Sequence, residues 1–243
     1  MRRFFKQNIT EDTIIITGSE AMHILRVLRM RVGDELVLFD GSGMDYICEI
    51  AETDEQNVTV KLREKVLSEK ELPIKITLYQ AVIKSDHMDY AVQKCTEAGI
   101  YAFVPFLSER CVKRPDAKSA AKLAEREARI ALEAAKQCGR ARVPAVSELI
   151  TLKQAATELK NKSGIRLVAY EDEHDISIKD VLEREEMQDI SLLIGPEGGF
   201  TKGEIEMLEE AGVVCCTLGK LIFRSETAGV AAAAMIQYEY MGK

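Results

Sequence analysis

Two loops contain the residues whose types and spacing could do chemistry. The first reads Gly-Pro-Glu-Gly-Gly-Phe from Gly195 to Phe200 and follows the apolar run 190–194. Closely spaced glycines beside a proline indicate a rigid loop whose backbone amides can approach a ligand. The spacing matches neither the dinucleotide fingerprint nor the phosphate-binding P-loop. The pattern favours a ligand-binding loop of another kind, although a plain strand-to-helix turn would use the same residues.

The second loop combines an apolar run with one arginine. It reads Leu-Gly-Lys-Leu-Ile-Phe-Arg from Leu218 to Arg224, and a helix rich in small residues follows. Apolar loop residues are costly in water unless they pack or line a pocket. A flat adenine and a thioether methyl donor would suit such a lining. Arg224 could hold an anion there, or it could be an ordinary surface arginine beside a helix N-terminus.

The second half of the chain alternates strand and helix patterns, and both loops follow strands of that series. Strands are predicted at Ile76–Ile83, Ala102–Phe106, Ile165–Tyr170, Ile190–Ile194 and Val213–Leu218. Helices are predicted at Asp89–Ala98, Lys118–Cys138, Thr151–Lys160, Ile178–Arg184, Lys202–Ala211 and Ser225–Met241. This alternation predicts an α/β fold with a largely parallel sheet. Ligands of such sheets bind at the carboxyl ends of the strands, where these two loops begin.

Short strands and tight turns fill the first 70 residues. Strand patterns cover Thr13–Thr17, Glu35–Asp40, Tyr46–Ala51 and Val58–Leu62. A helix is predicted at Ser19–Arg29, with Ser19 as its N-cap. We therefore expect a small β-barrel or sandwich. The boundary falls at Pro73 and gives domains 1–72 and 73–243.

Composition narrows the class of protein. Hydrophobic residues make up 47% and charged residues 30% of the 243 residues, which is ordinary for a globular protein. No apolar run approaches the roughly 20 residues of a membrane span. The six cysteines and three histidines are scattered, without the clustered spacing of a metal site. We expect a cytoplasmic protein with reduced thiols, no metal and no membrane partner.

Positive charge is concentrated in two segments of an acidic chain. The net charge is −7 overall, but it is +3 over residues 1–33 and +5 over residues 108–142. This distribution indicates a local polyanion site rather than nonspecific coating of nucleic acid. Two solvated faces would give the same pattern.

Together, the two loops resemble those of the ribosomal RNA small-subunit methyltransferase E family, a branch of the SPOUT superfamily of knotted methyltransferases. The resemblance extends nearly end to end, through Arg2–Phe5, His23–Arg29, Lys94–Gly99, and Glu133–Arg140 followed by Pro144. Each match is short, and their shared order makes the set specific. The chain departs from the family at Glu127, where an aromatic is common, and at Phe223, where an aliphatic is usual.

The resemblance implies a C-terminal domain with a trefoil knot around residues 190–240, a PUA-like RNA-binding N-terminal barrel, and a homodimer. The implied cofactor is S-adenosylmethionine, and the implied substrate is a uridine of 16S ribosomal RNA, in free RNA or in the small ribosomal subunit, methylated at N3. The implied cofactor-binding residues are Ile194, Gly195, Pro196, Glu197, Gly198, Leu218, Gly219, Ile222, Phe223 and Thr227.

Methylation of uracil at N3 has its own chemical demands. N3 carries a proton and becomes nucleophilic only when that proton leaves, so a base or an anion-stabilising cation is required. We predict that Arg224 stabilises the negative oxygen, while Glu197 or Glu226 helps to remove the proton. Glu226 could instead be a helix-start carboxylate, and Glu197 could fix its own loop.

Basic residues are predicted to bind RNA phosphates. The candidates are Arg2, Arg3, His23, Arg26, Arg29, Arg110, Arg114 and Arg140. The spacing of Arg26 and Arg29 predicts one shared helix face. A packed helix histidine is the alternative for His23.

Three other functions compete with this interpretation. A non-catalytic RNA-binding assembly factor would lack cofactor binding. A ribose 2′-O-methyltransferase of the same superfamily would differ only in its product. A nucleotide-dependent oxidoreductase is disfavoured because the glycine fingerprint is missing.

Overall fold

The structure, a computed structural model, describes residues 1–183 and 189–241. Contacts between residues divide the chain into two units. The first contains Met1–Glu71 and Ala135–Val143, and the second contains Leu72–Ala134 and Pro144–Lys243. The expected boundary at Pro73 gives no sign of the separate segment 135–143.

The first unit is built on a five-stranded sheet. Its strands are β1 (Arg2–Phe5), β2 (Thr13–Ile16), β3 (Glu35–Phe39), β4 (Met44–Thr53) and β5 (Val58–Leu67). Their order is β1-β3-β4-β5-β2, with β1 parallel to β3 and the other neighbours antiparallel. Alternating residues such as Val58 and Val60 pack into a core with Phe4 and Leu36. The predicted small N-terminal β unit is confirmed, and β1 is an addition that no pattern indicated.

The helix predicted at Ser19–Arg29 is wrong in its bounds. An α-helix, α1, covers Gly18–Met22 after Thr17 as N-cap, and a π-helical turn follows at His23–Val27. Leu28 N donates to His23 O at 3.0 Å, and Arg29 then adopts a left-handed conformation with φ 54°. Arg26 and Arg29 therefore do not share a helix face at i, i+3 spacing, because the helix widens and ends before Arg29.

The segment 135–143 is fastened to the first unit by Glu71. The Glu71 carboxylate accepts hydrogen bonds from Ala141 N at 2.9 Å and Arg142 N at 2.8 Å. It also pairs with Arg140 Nη2 at 2.8 Å, where both side chains are nearly buried. A buried pair that is fully hydrogen-bonded holds its segment firmly, because breaking it would strand a charge.

The second unit contains a parallel sheet of seven strands. The strands are β6 (Lys75–Ala81), β7 (Ala102–Leu107), β8 (Ala145–Val146), β9 (Ile150–Thr151), β10 (Ile165–Ala169), β11 (Asp189–Ile194) and β12 (Val214–Cys216). The helices are α2 (Ser85–Glu97), α3 (Ala117–Cys138), α4 (Leu152–Lys160), α5 (Ile178–Leu182), α6 (Lys202–Glu210) and α7 (Ser225–Met241). The predicted α/β alternation is confirmed, and Arg184, the predicted end of α5, lies outside the described residues.

The strand order places four carboxyl ends side by side. The sheet runs β12-β10-β11-β6-β7-β8, with β9 beside β7. Leu192 and Leu193 in β11 are both fully buried, as expected for a strand covered on both faces. The chain segments that leave β12, β10, β11 and β6 therefore begin at the same edge of the sheet.

No helix within residues 1–183 and 189–241 combines the length and apolarity that a membrane crossing requires. The same described ranges contain no group of three or more His, Cys, Asp or Glu side chains arranged to hold a metal ion.

Candidate functional site

The glycine loop, residues 195–200, joins β11 to α6. Thr201 Oγ1 accepts from Glu204 N at 3.3 Å, and Glu204 Oε2 accepts from Thr201 N at 2.9 Å. This reciprocal pair is the predicted capping box, and it fixes where α6 begins. Gly199 N closes the turn by donating to Pro196 O at 3.0 Å.

Two glycines of this loop leave no room for a side chain. A Cβ on Gly195 would lie 2.9 Å from the ring of Phe200, which is buried. Gly199 has φ +67°, and a Cβ there would overlap Glu171 Oε1. A side chain at Gly195 would clash with the Phe200 ring, and a non-glycine residue at Gly199 would also have an unfavourable left-handed backbone conformation. The loop is therefore shaped by close packing as well as by its turn.

The apolar loop, residues 218–224, joins β12 to α7. Leu221 is 81% exposed and Ile222 is 84% exposed, while Phe223 is partly covered at 37%. Three consecutive apolar side chains left open to water are unfavourable unless something covers them. This loop has the character of a ligand or partner surface.

Ser225 joins the two loops at the first residue of α7. Its Oγ donates to Gly195 O at 2.5 Å and accepts from Gln80 Nε2 at 2.9 Å. Gln80 lies in β6 and is fully buried. This chain of hydrogen bonds ties the end of β6, the glycine loop and the start of α7 into one rigid arrangement.

A cavity of about 590 Å³ opens between these loops. It is lined by His87, Ala169, Tyr170, Glu171, Ile194, Gly195, Pro196, Glu197, Gly198, Gly199, Thr217, Leu218, Gly219, Leu221, Ile222, Phe223, Arg224, Ser225, Glu226 and Ala228. The volume is that of a typical small-molecule site. Nine of the ten residues expected to bind cofactor line it; Thr227 is the exception.

The three expected catalytic residues all line the cavity but differ in how they are held. Arg224 is exposed, and among the described residues its guanidinium has no hydrogen-bond or ion-pair partner. Glu197 is also exposed, and its Oε1 accepts from Lys84 N at 3.2 Å, just before α2. Glu226 is nearly buried, and its Oε2 lies 3.6 Å from His87 Nδ1. Glu197 thus has a structural contact, whereas Arg224 is available to a ligand.

Four of the basic residues expected to bind RNA are committed to contacts within their own unit. Arg3 forms a bidentate ion pair with Asp45, with N–O distances of 2.8 and 2.7 Å, and Arg140 forms an ion pair with Glu71. In the second unit, Arg110 Nη1 donates to Gly198 O at 3.0 Å, and Arg114 Nη2 donates to Ser108 O at 2.9 Å. The Arg3 and Arg140 side chains are also largely buried, so the structure gives both a structural role.

The remaining RNA candidates are exposed. Arg2, Arg26 and Arg29 are exposed, and no hydrogen bond or ion pair of their side chains is found within the described residues. His23 is exposed as well, and its ring meets Phe4 edge-on with centroids 6.1 Å apart. Arg2, Arg26 and Arg29 are therefore free to meet phosphates.

A carboxylate and an imidazole in the cavity, those of Glu171 and His87, were not predicted from the sequence. Glu171 is the second residue after β10, and His87 lies in the first turn of α2, after β6. The rule that ligands bind at the carboxyl ends of parallel strands could have identified Glu171. The same rule points to the segment after β6 that contains His87, but the approach of His87 to Glu226 depends on how α2 and α7 meet.

The comparisons with known proteins agree with this fold. Residues 70–237 match the family model described as an RNA methyltransferase domain, and residues 16–63 match that of an RNA methyltransferase PUA domain. The fold and site therefore define an RNA methyltransferase.

Individual relatives show which kind of RNA methyltransferase the chain resembles. The Bacillus subtilis ribosomal RNA small subunit methyltransferase E is 36% identical over 98% of this chain and 97% of its own length. A structure of ribosomal RNA small subunit methyltransferase E from Neisseria gonorrhoeae, bound to S-adenosyl methionine, is 31% identical with a TM-score of 0.83, covering 98% of this chain and 97% of that one. A putative methyltransferase from Legionella pneumophila in complex with the bound cofactor SAM is 28% identical with a TM-score of 0.82, covering 97% and 96%.

The chain belongs to the ribosomal RNA small subunit methyltransferase E family. The resemblance predicted from the two loops is thereby confirmed.

The lining of the cavity fits S-adenosylmethionine. The exposed apolar loop offers a dry wall for a flat ring, and Gly195, Gly198 and Gly199 line the same cavity without side chains. Glu171 places a carboxylate in the same cavity, where hydroxyl or ammonium groups need an acceptor. Residues of the two loops would hold the apolar part of S-adenosylmethionine, and Glu171 would hold its hydroxyl or ammonium groups.

Proposed function

We propose that this chain transfers the methyl group of S-adenosylmethionine to N3 of a uridine in 16S ribosomal RNA, in the cytoplasm, as a homodimer. The cavity carries the proposal, because it combines an apolar wall with the unpaired guanidinium of Arg224 and the carboxylate of Glu226. When bound, S-adenosylmethionine supplies an electrophilic methyl group on its sulfonium. Family membership supports the substrate class, since the named relatives are ribosomal RNA small subunit methyltransferases.

Arg224 is the residue that stabilises the uracil anion. Loss of the N3 proton leaves negative charge on the flanking carbonyl oxygens O2 and O4, which a guanidinium can bind through its N–H groups. Arg224 lines the cavity, and its carbonyl caps α7 by accepting from Thr227 N at 2.9 Å and Ala228 N at 2.8 Å. The backbone of Arg224 is thus fixed while its side chain stays available.

Glu226 is better placed than Glu197 to support proton removal. The Glu197 carboxylate already accepts the Lys84 amide, which uses one of its oxygens to hold the loop before α2. Glu226 lies in the first turn of α7, close to Arg224 in sequence, and its only close ionisable neighbour among the described residues is His87. A carboxylate held at the cavity wall can act on the proton directly or through the imidazole.

The domain 1–72 is proposed as the PUA-like RNA-binding module, and the domain 73–243 as the SPOUT methyltransferase domain with its knot. Arg2, Arg26 and Arg29 are the exposed candidates of the first domain for phosphate contacts. Arginines that are already paired within the protein contribute less to RNA binding, so Arg3 and Arg140 are assigned to stability. The match of residues 16–63 to an RNA methyltransferase PUA domain supports this division of work.

The homodimer is supported by apolar side chains that one copy of the second unit leaves open. Leu221 and Ile222 in the apolar loop, and Tyr238 and Met241 in α7, are each more than two-thirds exposed. Exposed apolar groups of this size mark surfaces that a partner covers. A second copy would cover them while leaving the cavity for the cofactor.

Product identification tests the proposed function. Unmodified small-subunit RNA and particles reconstituted from it are incubated with the protein and with methyl-labelled S-adenosylmethionine, and the digested nucleosides are identified by mass spectrometry. N3-methyluridine at one position supports the proposal. A ribose-methylated nucleoside would show that the protein is a 2′-O-methyltransferase instead of an N3-methyltransferase. Absence of methyl from both substrates, with folded protein, would leave an RNA-binding assembly factor.

A further inference from the structure

His87 lines the methyl-transfer cavity but is not among the residues predicted from the sequence, and above it enters only as one route by which Glu226 could reach the proton. It lies in the first turn of α2, and its side chain is 31% exposed. An imidazole that is partly open to a ligand cavity is the group most often used to move protons in enzymes. Its surroundings decide which ring nitrogen could do so.

One ring nitrogen of His87 faces inward and lacks a hydrogen bond. Nδ1 is buried without a hydrogen-bond partner, and Glu226 Oε2 lies 3.6 Å from it. A separation of 3.6 Å is too long for a hydrogen bond, but catalytic contacts often tighten when substrate binds. A buried polar atom without a hydrogen-bond partner is destabilising, so a small movement that brings Nδ1 of His87 within hydrogen-bond distance of Glu226 would be favourable.

The other charged groups near His87 compete weakly for its ring. Asp86 Oδ2 lies 3.8 Å from Nε2, but its side chain is 83% exposed and is therefore screened by water. The remaining charged groups that line the cavity are Glu171, Glu197 and Arg224. Glu226, with a side chain 12% exposed, is the least solvated partner of the imidazole.

We propose that His87 is the base that removes the N3 proton and that Glu226 positions it. The N3–H bond breaks, its electron pair stays on N3, and the proton forms a new bond to Nε2 of His87. The resulting imidazolium keeps Nδ1–H toward the Glu226 carboxylate, which stabilises the new charge. The imidazolium later returns the proton to water. This inference rests on the proposed uridine N3 methylation.

Glu226 suits the positioning role better than that of the base itself. It lies in the first turn of α7, and its side chain is only 12% exposed against 31% for His87, so the imidazole is the more open of the two to a substrate. Imidazole changes charge near neutral pH, which matches a base to its working conditions. The roles of the two residues are those of the carboxylate and imidazole in known catalytic dyads, in which the carboxylate orients the imidazole and the imidazole removes the proton.

A measurement without turnover tests the pairing. Nitrogen NMR of the neutral His87 ring shows which nitrogen holds the proton, with His87→Gln used to assign the signal. We expect Nδ1–H in the wild type, and a loss of that preference in Glu226→Ala, which leaves no acceptor beside Nδ1, because the tautomer is set by the hydrogen bond that the ring makes. The same tautomer in both proteins would overturn the pairing.

Single-turnover methyl transfer across pH tests the chemical role. We expect His87→Gln to lose about 100-fold in rate at neutral pH. The decline in rate toward acid pH, where a protonated imidazole cannot accept a proton, should also disappear. His174→Gln, which alters an exposed histidine outside the cavity, serves as the matched control. Calorimetry should give all variants the same affinity for S-adenosylmethionine.

The outcomes separate this inference from the proposed function. A His87→Gln rate and pH profile equal to those of His174→Gln, in an active wild type, would overturn the role of His87 alone. A wild type that modifies a position other than uridine N3 would overturn the proposed function and the assigned proton transfer together. In that case the tautomer measurement still decides whether the His87–Glu226 pair exists.

Discussion

At the scale of single residues, Arg224 and Glu226 are near neighbours in sequence but are held differently. The Arg224 side chain is exposed, whereas Glu226 is nearly buried beside His87. An exposed guanidinium keeps its hydration, so it carries no desolvation penalty, and it can move to contact an anion as that anion forms. A carboxylate fixed in a helix turn can orient a neighbour but cannot follow the substrate. The two residues therefore have separate tasks.

Replacing Arg224 by alanine should reduce turnover about 100-fold to 1,000-fold, as expected for the loss of one anion-stabilising group. The affinity for S-adenosylmethionine should stay nearly unchanged, because the backbone of Arg224, and not its side chain, begins α7. Steady-state kinetics and calorimetry measure the two effects. Lys220→Ala in the same loop removes an exposed charge that does not line the cavity and is the control. Unchanged turnover in Arg224→Ala would remove this residue from the mechanism.

Replacing Gly199 by alanine should weaken cofactor binding. The left-handed backbone costs a non-glycine residue about 1–2 kcal/mol, and the new Cβ would force the Glu171 carboxylate away from its place in the cavity. Gly203→Ala is the matched control, because a Cβ there meets no atom within 4 Å and the residue lies in α6. Calorimetric affinities should fall for Gly199→Ala only. Equal affinities in both variants would show that the cofactor does not depend on this part of the loop.

At the scale of elements, α3 has an acidic residue on its buried face. The spacing of Leu123, Glu127, Ile130 and Ala134 places all four on one stripe, and Glu127 is fully buried with neither carboxylate oxygen hydrogen-bonded. Glu127 therefore lies in the protein interior, not on an RNA-facing surface. Burial raises the pKa of Glu127 to about 8, with the nearby Asp89 adding to the shift and Arg126 opposing it.

Glu127 should make the stability of the protein fall as pH rises. The folded state holds the proton of the Glu127 carboxyl more tightly than the unfolded state does. The contribution of Glu127 to the free energy of unfolding is therefore intact below pH 4.5 and is lost between pH 4.5 and about 8. The expected slope is up to about 1.4 kcal/mol per pH unit. Glu127→Gln should flatten this decline in denaturant unfolding, whereas Glu125→Gln, exposed on the same helix, should not. An equal pH dependence in both variants would contradict the buried, protonated carboxyl.

Patterns that depend on local residues were predictable from the sequence. The alternating strands, the capping box at Thr201 and the two loops at the sheet edge follow from periodicity and turn chemistry. The residues paired across long stretches of chain were not. Nothing near Arg3 or Arg140 shows that Asp45 and Glu71 will neutralise them, and nothing near His87 shows that Glu226 will face it. Such pairings are products of the tertiary fold.

At the scale of the whole molecule, the protein is acidic, with a net charge of −7, yet it is proposed to bind a polyanion. Binding then depends on a few exposed arginines, because general attraction is absent. The π-helical turn and the left-handed Arg29 present Arg26 and Arg29 on an irregular segment of the first unit. The RNA affinity should therefore respond strongly to these particular residues.

Replacing both Arg26 and Arg29 by alanine should weaken RNA binding and reduce its salt dependence. For every phosphate that an arginine no longer neutralises, the slope of log affinity against log salt should become shallower by about 1. Filter binding or fluorescence titration between low and moderate salt measures this slope. The control removes two exposed lysines of α4, Lys153 and Lys160, and so changes the net charge equally. The same slope in both double variants would remove Arg26 and Arg29 from the RNA interface.

Calorimetric titration of the purified wild-type protein with S-adenosylmethionine, and separately with NADH, shows whether the cavity between the glycine loop and the apolar loop is a methyl-donor site. We expect saturable binding of S-adenosylmethionine and no binding of NADH. Folded protein that binds neither compound, or that binds NADH instead, would contradict the assignment of a methyl-donor site.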